Sequence, residues 1–469
     1  MDFYIRRVTI NDLFESGNNY KIDLFQGCNC IFGGNGTGKT TIINLIVNCL
    51  NAEFESIAKT PFSSITIQLA KSGQSRAFKF LTVSRHYELS TLNAGVSYEV
   101  EGLEPVVFSL NSRSRNIESY GETVELIKNH IDGLINLTHV PLLRMHDSEL
   151  FNIRDERDEF LHSALKRRNL SSTQINEIFD PSARVLNSLQ RQFMTEANEA
   201  RKLITGKLEI LKSKIIEKVM IDESLVKLSA KAMGRVNKAL TTKLEDVDVV
   251  AYIKKFQEAR ISVPEEKIRE HFVTWKKLND GVRDTFKEME DARQLRESKN
   301  TEAAKKIYQD AVNAFNTSYF SLIAMANFND RFLSITEDVE HMQLEKLELT
   351  KSFRDYEKEI NSYLAPRKIF NITEDGMFKV RSKNRKIELS DLSSGEKHIV
   401  TILGKAALSR KDGAVFIADE PELSLHLDWQ RMILPSIIKL SPKSQIIVAT
   451  HSPAINAKGA YEIDLEECR

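Results

Sequence analysis

A glycine-rich segment near the start of the chain has the residue types and the spacing of a phosphate-binding loop. Residues 33–40 read Gly-Gly-Asn-Gly-Thr-Gly-Lys-Thr, which fits the pattern G-x-x-x-x-G-K-[ST]. Glycines let backbone N–H groups turn toward phosphate oxygens, and a helix after the loop would present the positive end of its dipole to them. Lys39 would neutralise phosphate charge, and the Thr40 hydroxyl would hold Mg²⁺. The segment therefore predicts a site for a nucleoside triphosphate with Mg²⁺, formed by Gly33, Asn35, Gly36, Gly38, Lys39, Thr40 and Thr41.

A pair of carboxylates lies in the last third of the chain. The apolar run Ala414–Ala418 predicts a buried strand, and Asp419 and Glu420 follow it directly. Asp419 would ligate Mg²⁺, directly or through water, and Glu420 would polarise an attacking water as general base. By itself such a pair is equally compatible with a polar strand end, but together with the glycine-rich loop it favours hydrolysis of the bound triphosphate.

A short motif precedes these carboxylates and consists of Leu392, Ser393, Ser394, Gly395 and Glu396. It offers a serine hydroxyl and backbone N–H groups at the start of a predicted helix, which is an anion-binding arrangement. The motif resembles the signature sequence of ABC-type ATPases. In that superfamily the signature contacts the γ-phosphate of ATP bound to the opposite subunit. The resemblance therefore implies a homodimer, or a higher homo-oligomer, in which Ser393, Ser394, Gly395 and Glu396 complete the partner's ATP site.

Two further segments indicate which branch of the superfamily the chain resembles. His451 follows the apolar run Gln445–Ala449 and resembles the switch histidine of the same superfamily, which contacts the γ-phosphate. Residues 419–426 have the form D-E-P-E-x-x-L-H, with His426 where transporter ATPases carry an Asp. This form resembles the branch of overcoming-lysogenisation-defect (OLD) nucleases and related bacterial defence ATPases. A transporter subunit is therefore disfavoured.

The resemblance also implies a separate effector. Fewer than about 20 residues follow His451, which is too few for a nuclease domain. The chain is similar to stand-alone ATPase subunits of anti-phage systems, which act with a Toprim protein in PARIS-type systems or with an HNH protein in Septu-type systems. The expected partners are thus a second copy of the chain, an effector nuclease and a phage-encoded trigger.

The pattern of helices and strands predicts an α/β domain that is formed by both ends of the chain and interrupted by a long helical insertion. The resemblance implies that this domain is an ABC-type ATPase head. No Gly or Pro occurs from Val282 to Ala365, which predicts helix. Two apolar seams with heptad-like spacing lie on either side of residues 216–348. The first seam consists of Leu186, Phe193, Ala197, Ala200, Ile204, Leu211 and Ile215, and the second of Leu349, Phe353, Tyr356, Ile360 and Tyr363. We predict an N-terminal lobe over residues 1–180, a helical insertion over 181–365 and a C-terminal lobe over 366–469. The insertion could be a coiled-coil-like stem with a cap or a plain multi-helix segment.

The composition predicts a cytoplasmic protein without a membrane span. Its 469 residues balance 66 Lys and Arg against 66 Asp and Glu, so no overall charge attracts nucleic acid or anionic lipid. The N-terminus has no apolar signal sequence, and no stretch reaches 18 apolar residues. Four cysteines are too few for a disulfide framework and are expected to be buried thiols.

Local basic clusters leave a second interpretation open. Lys166, Arg167 and Arg168 form one cluster, and Lys379, Arg381, Lys383, Arg385 and Lys386 form another on a predicted hairpin. They could contact DNA phosphates, as in an ATPase of DNA repair that resembles SMC or RecF proteins. No aromatic residues are interleaved to stack on bases, which favours a solvated surface. DNA binding is therefore left undecided.

Overall fold

The structure is a computed structural model, in which the chain forms two compact units. It describes residues 3–34, 36–74, 76–88, 93–109, 117–141, 181–219, 247–259, 261–299, 301–383, 385–410 and 413–469. One unit, here called the head, consists of Met1–Asn198 and Lys351–Arg469, and the other, called the insertion, is Glu199–Thr350. The predicted α/β head, built from both ends of the chain with helices inserted between them, is confirmed. Asn35 and the basic cluster 166–168 lie outside the described residues.

Strands occur in the head in three sheets. In chain order they are β1 (Phe3–Asn11), β2 (Tyr20–Asp23), β3 (Cys28–Phe32), β4 (Ser64–Lys71), β5 (Ala77–Glu88), β6 (Asn93–Val100), β7 (Val106–Ser109), β8 (Asn136–Val140), β9 (Ile369–Ile372), β10 (Phe378–Ser382), β11 (Arg385–Ile387), β12 (Ala414–Asp419), β13 (Gln445–Ala449) and β14 (Tyr461–Asp464). The sheets have the orders β2-β1-β4-β5-β6-β7, β11-β10-β9 and β14-β3-β13-β12-β8. The first two are antiparallel, and the third is parallel throughout.

The described helices complete the two units. They are α1 (Lys39–Leu50), α2 (Phe54–Lys59), α3 (Ile117–Asp132), α4 (Pro181–Val219), α5 (Val249–Glu258), α6 (Glu265–Lys299), α7 (Glu302–Leu349), α8 (Lys351–Leu364), α9 (Ser394–Leu408) and α10 (Leu427–Leu440). None of them is both long enough and apolar enough to cross a lipid bilayer.

The parallel sheet separates two apolar cores because its inner strand β12, which lies between β13 and β8, is buried on both faces. Val415 and Ile417 of β12 belong to one core, which also contains α1 and the six-stranded sheet. Phe416 and Ala418 belong to the other, which contains α8, α9, α10 and the three-stranded sheet. A continuous apolar run, rather than an alternating one, is what such a doubly covered strand requires.

The insertion contains antiparallel helix pairs. Lys207 and Lys218 near the end of α4 form ion pairs with Glu345 and Asp338 near the end of α7, so these two segments run in opposite directions. Helices α6 and α7 pack on each other around Val282 and other apolar side chains. The breaker-free span is helical apart from short interruptions near residues 300 and 350.

The second apolar seam lies in the head except for its first residue, Leu349. Tyr356, Ile360 and Tyr363 of α8 are buried in the core that contains α9 and α10. The ring of Phe193 from the first seam lies 4.9 Å from the ring of Tyr356. These two seams therefore meet within the head, where α4 and α8 pack together.

Candidate active site

The predicted catalytic segments meet at one edge of the parallel sheet. The glycine-rich loop follows β3, His451 follows β13, and Asp419 ends β12. Strand β13 pairs with β3 on one side and with β12 on the other. The carboxyl ends of parallel strands share one edge, so His451 lies between the loop and the carboxylates. Open α/β sheets bind ligands at this edge.

The glycines of the loop are needed for its geometry. Gly38 has φ +88° and directly precedes α1, where a left-handed conformation favours glycine. A Cβ atom on Gly38 would also come within 3.2 Å of the Phe14 ring. Lys39 is the first residue of α1, so the backbone N–H groups of the first turn are free to face an anion.

Lys39 links the loop to the opposite side of the site. Its ammonium group is buried and donates hydrogen bonds to the carbonyls of Gly33 at 2.7 Å and Gly34 at 2.9 Å. It also lies 3.2 Å from Nδ1 of His451. Burial lowers the pKa of Lys39. Nearby carboxylates, of which Glu420 has the largest effect, raise this pKa in turn. The cation is thus held by neutral acceptors that a phosphate could replace.

His451 lies between the cation and the predicted general base. Because an ammonium group can only donate, Nδ1 of His451 accepts from Lys39, and the neutral ring carries its proton on Nε2. Nε2 lies 3.7 Å from a carboxylate oxygen of Glu420. Glu420 has φ +45°, and its N–H donates to the Ala449 carbonyl at 2.8 Å. Such backbone strain in a non-glycine residue is frequent at functional sites.

Asp419 has the environment of a metal ligand. The residue is buried, and neither carboxylate oxygen has a hydrogen-bond partner within the described part of the chain. Burial raises the pKa of Asp419, and the nearby Thr40 side chain lowers it, although no hydrogen bond of ordinary geometry joins the two. Unpaired buried carboxylate oxygens beside a hydroxyl fit a hard divalent cation. These two residues therefore fit Mg²⁺.

Sequence reasoning missed Glu422, which organises the loop that carries His451. Glu422 is buried, and its Oε1 accepts hydrogen bonds from the Thr450 hydroxyl and from the N–H groups of His451 and Ser452. Its position after Asp419-Glu420 was visible in the sequence. Nothing in the residue type, however, indicated that it would bind backbone groups about thirty residues later.

We expect Glu422→Ala to lower the kcat of ATP hydrolysis by at least about tenfold with little change in KM, because hydrogen bonds to a charged group contribute about 1.5–3 kcal/mol each. Losing them would leave His451 poorly positioned. Steady-state kinetics and thermal unfolding check this result. Glu422→Gln retains an acceptor at the same place and should restore most of the activity. An equal rise in KM in both variants would argue against a positioning role.

The signature motif is held in shape by contacts around the start of α9. Ser393 caps α9 by accepting from the N–H of Glu396, while Glu396 accepts from the N–H of Ser393 at 2.8 Å. Lys368 donates to the same Glu396 oxygen at 2.6 Å. Ser393 and Ser394 are exposed, whereas Gly395 is buried. The Glu396 side chain therefore holds the motif in shape, and its predicted contact with nucleotide stays a prediction.

Helix α9 is also joined to the turn after the catalytic carboxylates. A Cβ atom on Gly395 would lie 2.9 Å from the Ser424 carbonyl oxygen, so only glycine allows this approach. Nε2 of His398 lies 2.9 Å from the Pro421 carbonyl and donates to it. Burial lowers the pKa of His398 to about 4, which keeps the ring neutral. His398 was not predicted as a functional residue.

Comparison with known proteins gives the family. A protein-family model described as "AAA domain" matches residues 8–249, just over half of the chain. A second, described as "AAA domain, putative AbiEii toxin, Type IV TA system", matches residues 263–457. The chain belongs to the AAA-domain family, whose ATPase domain it carries. Nucleotide binding and usually Mg²⁺ follow from that membership.

One curated relative is similar to part of the chain, and several solved structures align with nearly all of it. The Retron Ec83 probable ATPase of Escherichia coli is 28% identical over 172 residues, which are 34% of this chain and 28% of that protein. An Smc head domain from Pyrococcus furiosus aligns with 97% of this chain and 91% of its own, at 13% identity and a TM-score of 0.36. An Smc head domain from Pyrococcus yayanosii aligns with 97% of this chain and 93% of its own, at 15% identity and a TM-score of 0.36. Such scores support no inference about function.

Proposed function

We propose that this chain is an ABC-type ATPase subunit of a bacterial anti-phage defence complex. It binds ATP with Mg²⁺, dimerises through its heads around the nucleotide, hydrolyses ATP to ADP and phosphate, and controls a separate effector nuclease. The convergence of Lys39, His451, Glu420 and Asp419 at one sheet edge carries the ATPase part of this proposal. The retron relative and the toxin–antitoxin family description support the defence part.

Each residue of the site has a distinct task in this mechanism. Lys39 exchanges the carbonyls of Gly33 and Gly34 for phosphate oxygens and neutralises their charge. The Thr40 hydroxyl and the Asp419 carboxylate would hold Mg²⁺, which supplies positive charge to the phosphate oxygens when bound. Glu420 accepts a proton from the attacking water, and the Nε2–H of His451 donates to the reacting phosphate.

The exposed start of α9 supports a shared active site. Ser393 and Ser394 face solvent at the N-terminal end of the helix, where the positive end of the helix dipole lies. An anion bound to a second copy of the chain would meet this end of α9. The proposed dimer thus contains two ATP sites, each formed by the glycine-rich loop of one copy and the signature of the other.

An uncharged face of α7 supports a protein partner for the insertion. The segment Ala311–Asn329 contains no charged residue, although a solvent-facing helix normally carries several. Its exposed residues, called the uncharged face, are Asn313, Ala314, Asn316, Thr317, Phe320, Ser321, Ala324, Met325 and Phe328. Phe320 is 65% and Phe328 62% exposed. Such a face is complementary to an apolar, uncharged surface on another protein. We assign that surface to the effector nuclease.

We expect the double substitution Phe320→Asp, Phe328→Asp to abolish immunity while ATP hydrolysis stays within about twofold of the unaltered protein. Two charges on the uncharged face would have to be buried without partners in the complex, which is costly. The test uses bacteria that express the chain with the product of the neighbouring gene. Phage plating and co-purification of the two proteins are both measured.

The matched control is Lys306→Asp, which places a negative charge on an exposed position of the same helix outside the uncharged face. It should protect as well as the unaltered chain. If the double variant still protects and still retains the second protein, the uncharged face is not the docking site. If no variant of the ATPase site affects plating either, the defence function itself is wrong.

A further inference from the structure

The outer face of the three-stranded sheet in the head carries an unusual concentration of cations. Lys379 and Arg381 of β10 point away from the core, because their neighbours Phe378 and Val380 are buried. Lys386 of β11 lies directly opposite Arg381. Lys383 at the connecting turn and Arg385 at the start of β11 are also exposed, although alternation directs Arg385 to the other side of the strand from Lys386. We call these five residues the basic face.

The cross-strand arrangement is unfavourable without an anion. Side chains that are directly opposite on neighbouring strands lie about 5 Å apart, and like charges in such positions destabilise a sheet. Arg381 faces Lys386 on one side and the uncharged Ile369 on the other. Alternation places Lys379 about 7 Å from Arg381 along the same strand. Three cations are thereby held close together on a regular backbone.

Few acidic groups compensate these charges. Within the part of the chain that the structure describes, Lys386 pairs with Glu388 at 2.8 Å, and the other four basic residues form no ion pair. Asp391 lies with Lys383, Arg385 and Lys386 along a surface cleft beside the turn. The five positive charges of the basic face are therefore opposed by the two negative charges of Glu388 and Asp391, which leaves an excess of three positive charges. The chain as a whole has no net charge, so this excess is a local property of the sheet.

The basic face is fixed rather than mobile relative to the signature motif. Lys368, the residue before β9, forms a mostly buried ion pair with Glu396 at 2.6 Å. Strand β10 packs on the apolar core through the buried side chains of Phe378 and Val380. A polymer bound to the basic face would therefore lie next to the start of α9, on a rigid support.

We propose that the basic face binds the phosphate backbone of a nucleic acid without reading its sequence. Cations that are spread over two strands and the adjoining turn can contact several phosphates at once, which suits a polymer of phosphates better than a single phosphate group. The face has no aromatic residue to stack on a base, which limits it to backbone contacts. Lipid-binding elements bury a broad apolar surface as well, whereas the exposed large apolar side chains near the cations are limited, among the described residues of this sheet, to Ile369 and Met377. This proposal does not depend on the proposed function.

The test measures binding of the full chain to fluorescently labelled 30-mers, namely duplex DNA, single-stranded DNA and single-stranded RNA, over a range of salt concentrations. The three probes separate the sources of the phosphate backbone. The variant Arg381→Ala, Lys386→Ala should weaken binding at least about tenfold in low salt. It should also reduce the slope of log K against log salt by about two, since each phosphate contact contributes about one. ATP hydrolysis measured without nucleic acid should be unchanged.

The matched control is Lys71→Ala, Arg76→Ala, which removes the same two residue types from exposed positions beside the six-stranded sheet. It should leave both affinity and slope within experimental error. Equal losses in the two double variants, or no retention of any probe at micromolar protein in low salt, would overturn the proposal. Binding to anionic vesicles but to none of the three nucleic acids would likewise overturn it and identify a lipid surface.

Discussion

Glu420→Gln is expected to lower the kcat of ATP hydrolysis by roughly 10²–10⁴-fold, the usual contribution of a positioned general base. Gln has nearly the same shape and can occupy the same position after β12, where the backbone at φ +45° is held by the hydrogen bond to Ala449. It cannot accept the proton of the attacking water. ATP affinity should change little, because the carboxylate does not carry the phosphate contacts.

Single-turnover hydrolysis and equilibrium binding of a fluorescent ATP analogue separate these two quantities. In the proposed dimer, the variant should also accumulate as an ATP-bound dimer that size-exclusion chromatography resolves from the monomer. Glu466→Gln is the control, since Glu466 lies near Gly34 at the rim of the site and is exposed. Hydrolysis by Glu420→Gln within about threefold of the unaltered enzyme would exclude Glu420 as the base.

Lys39→Ala is expected to weaken ATP binding by about 100-fold, which corresponds to roughly 2.7 kcal/mol and lies within the range for hydrogen bonds to charged groups. The ammonium group is already desolvated and already faces the loop carbonyls, so it loses little hydration when phosphate replaces them. Alanine removes both the charge and the donors. Isothermal titration with ATP and Mg²⁺ measures the change directly.

Folding of this variant is expected to be intact, because the cation contacts neutral carbonyls and an imidazole rather than a fixed anion. Circular dichroism and thermal unfolding of the ATP-free protein check this point. Lys59→Ala, at an exposed position of α2, serves as the control. Undiminished ATP affinity in Lys39→Ala would show that Lys39 does not contact the phosphates of the bound nucleotide.

The sequence was most informative where function is concentrated in contiguous residues. The glycine-rich loop, the apolar strand before Asp419 and the strand before His451 are each defined by fewer than about ten neighbouring residues, and their spacing has few structural alternatives. Their assembly at one sheet edge could be expected from the rule that ligands bind at the carboxyl ends of parallel strands. The structure agrees with that expectation.

Contacts between distant segments could not be obtained in the same way. The hydrogen bonds of Glu422 to residues 450–452, and that of His398 to Pro421, join segments that no local pattern relates. The apolar spacing of α8 is similar to that of a coiled coil, yet its partners are α9 and α10 of the head. Periodicity indicates which side of a helix is buried, but it does not indicate the partner.

The order of strands in the parallel sheet has a consequence for how the chain folds as it is synthesised. Strand β3 carries the glycine-rich loop, and its described neighbours are β13 and β14, which emerge from the ribosome more than 400 residues later. Contacts this remote in sequence form slowly, and apolar surface stays exposed meanwhile. The sheet edge that carries the glycine-rich loop therefore cannot be completed before β13 and β14 are made. We expect the nascent chain to need protection by chaperones during this interval.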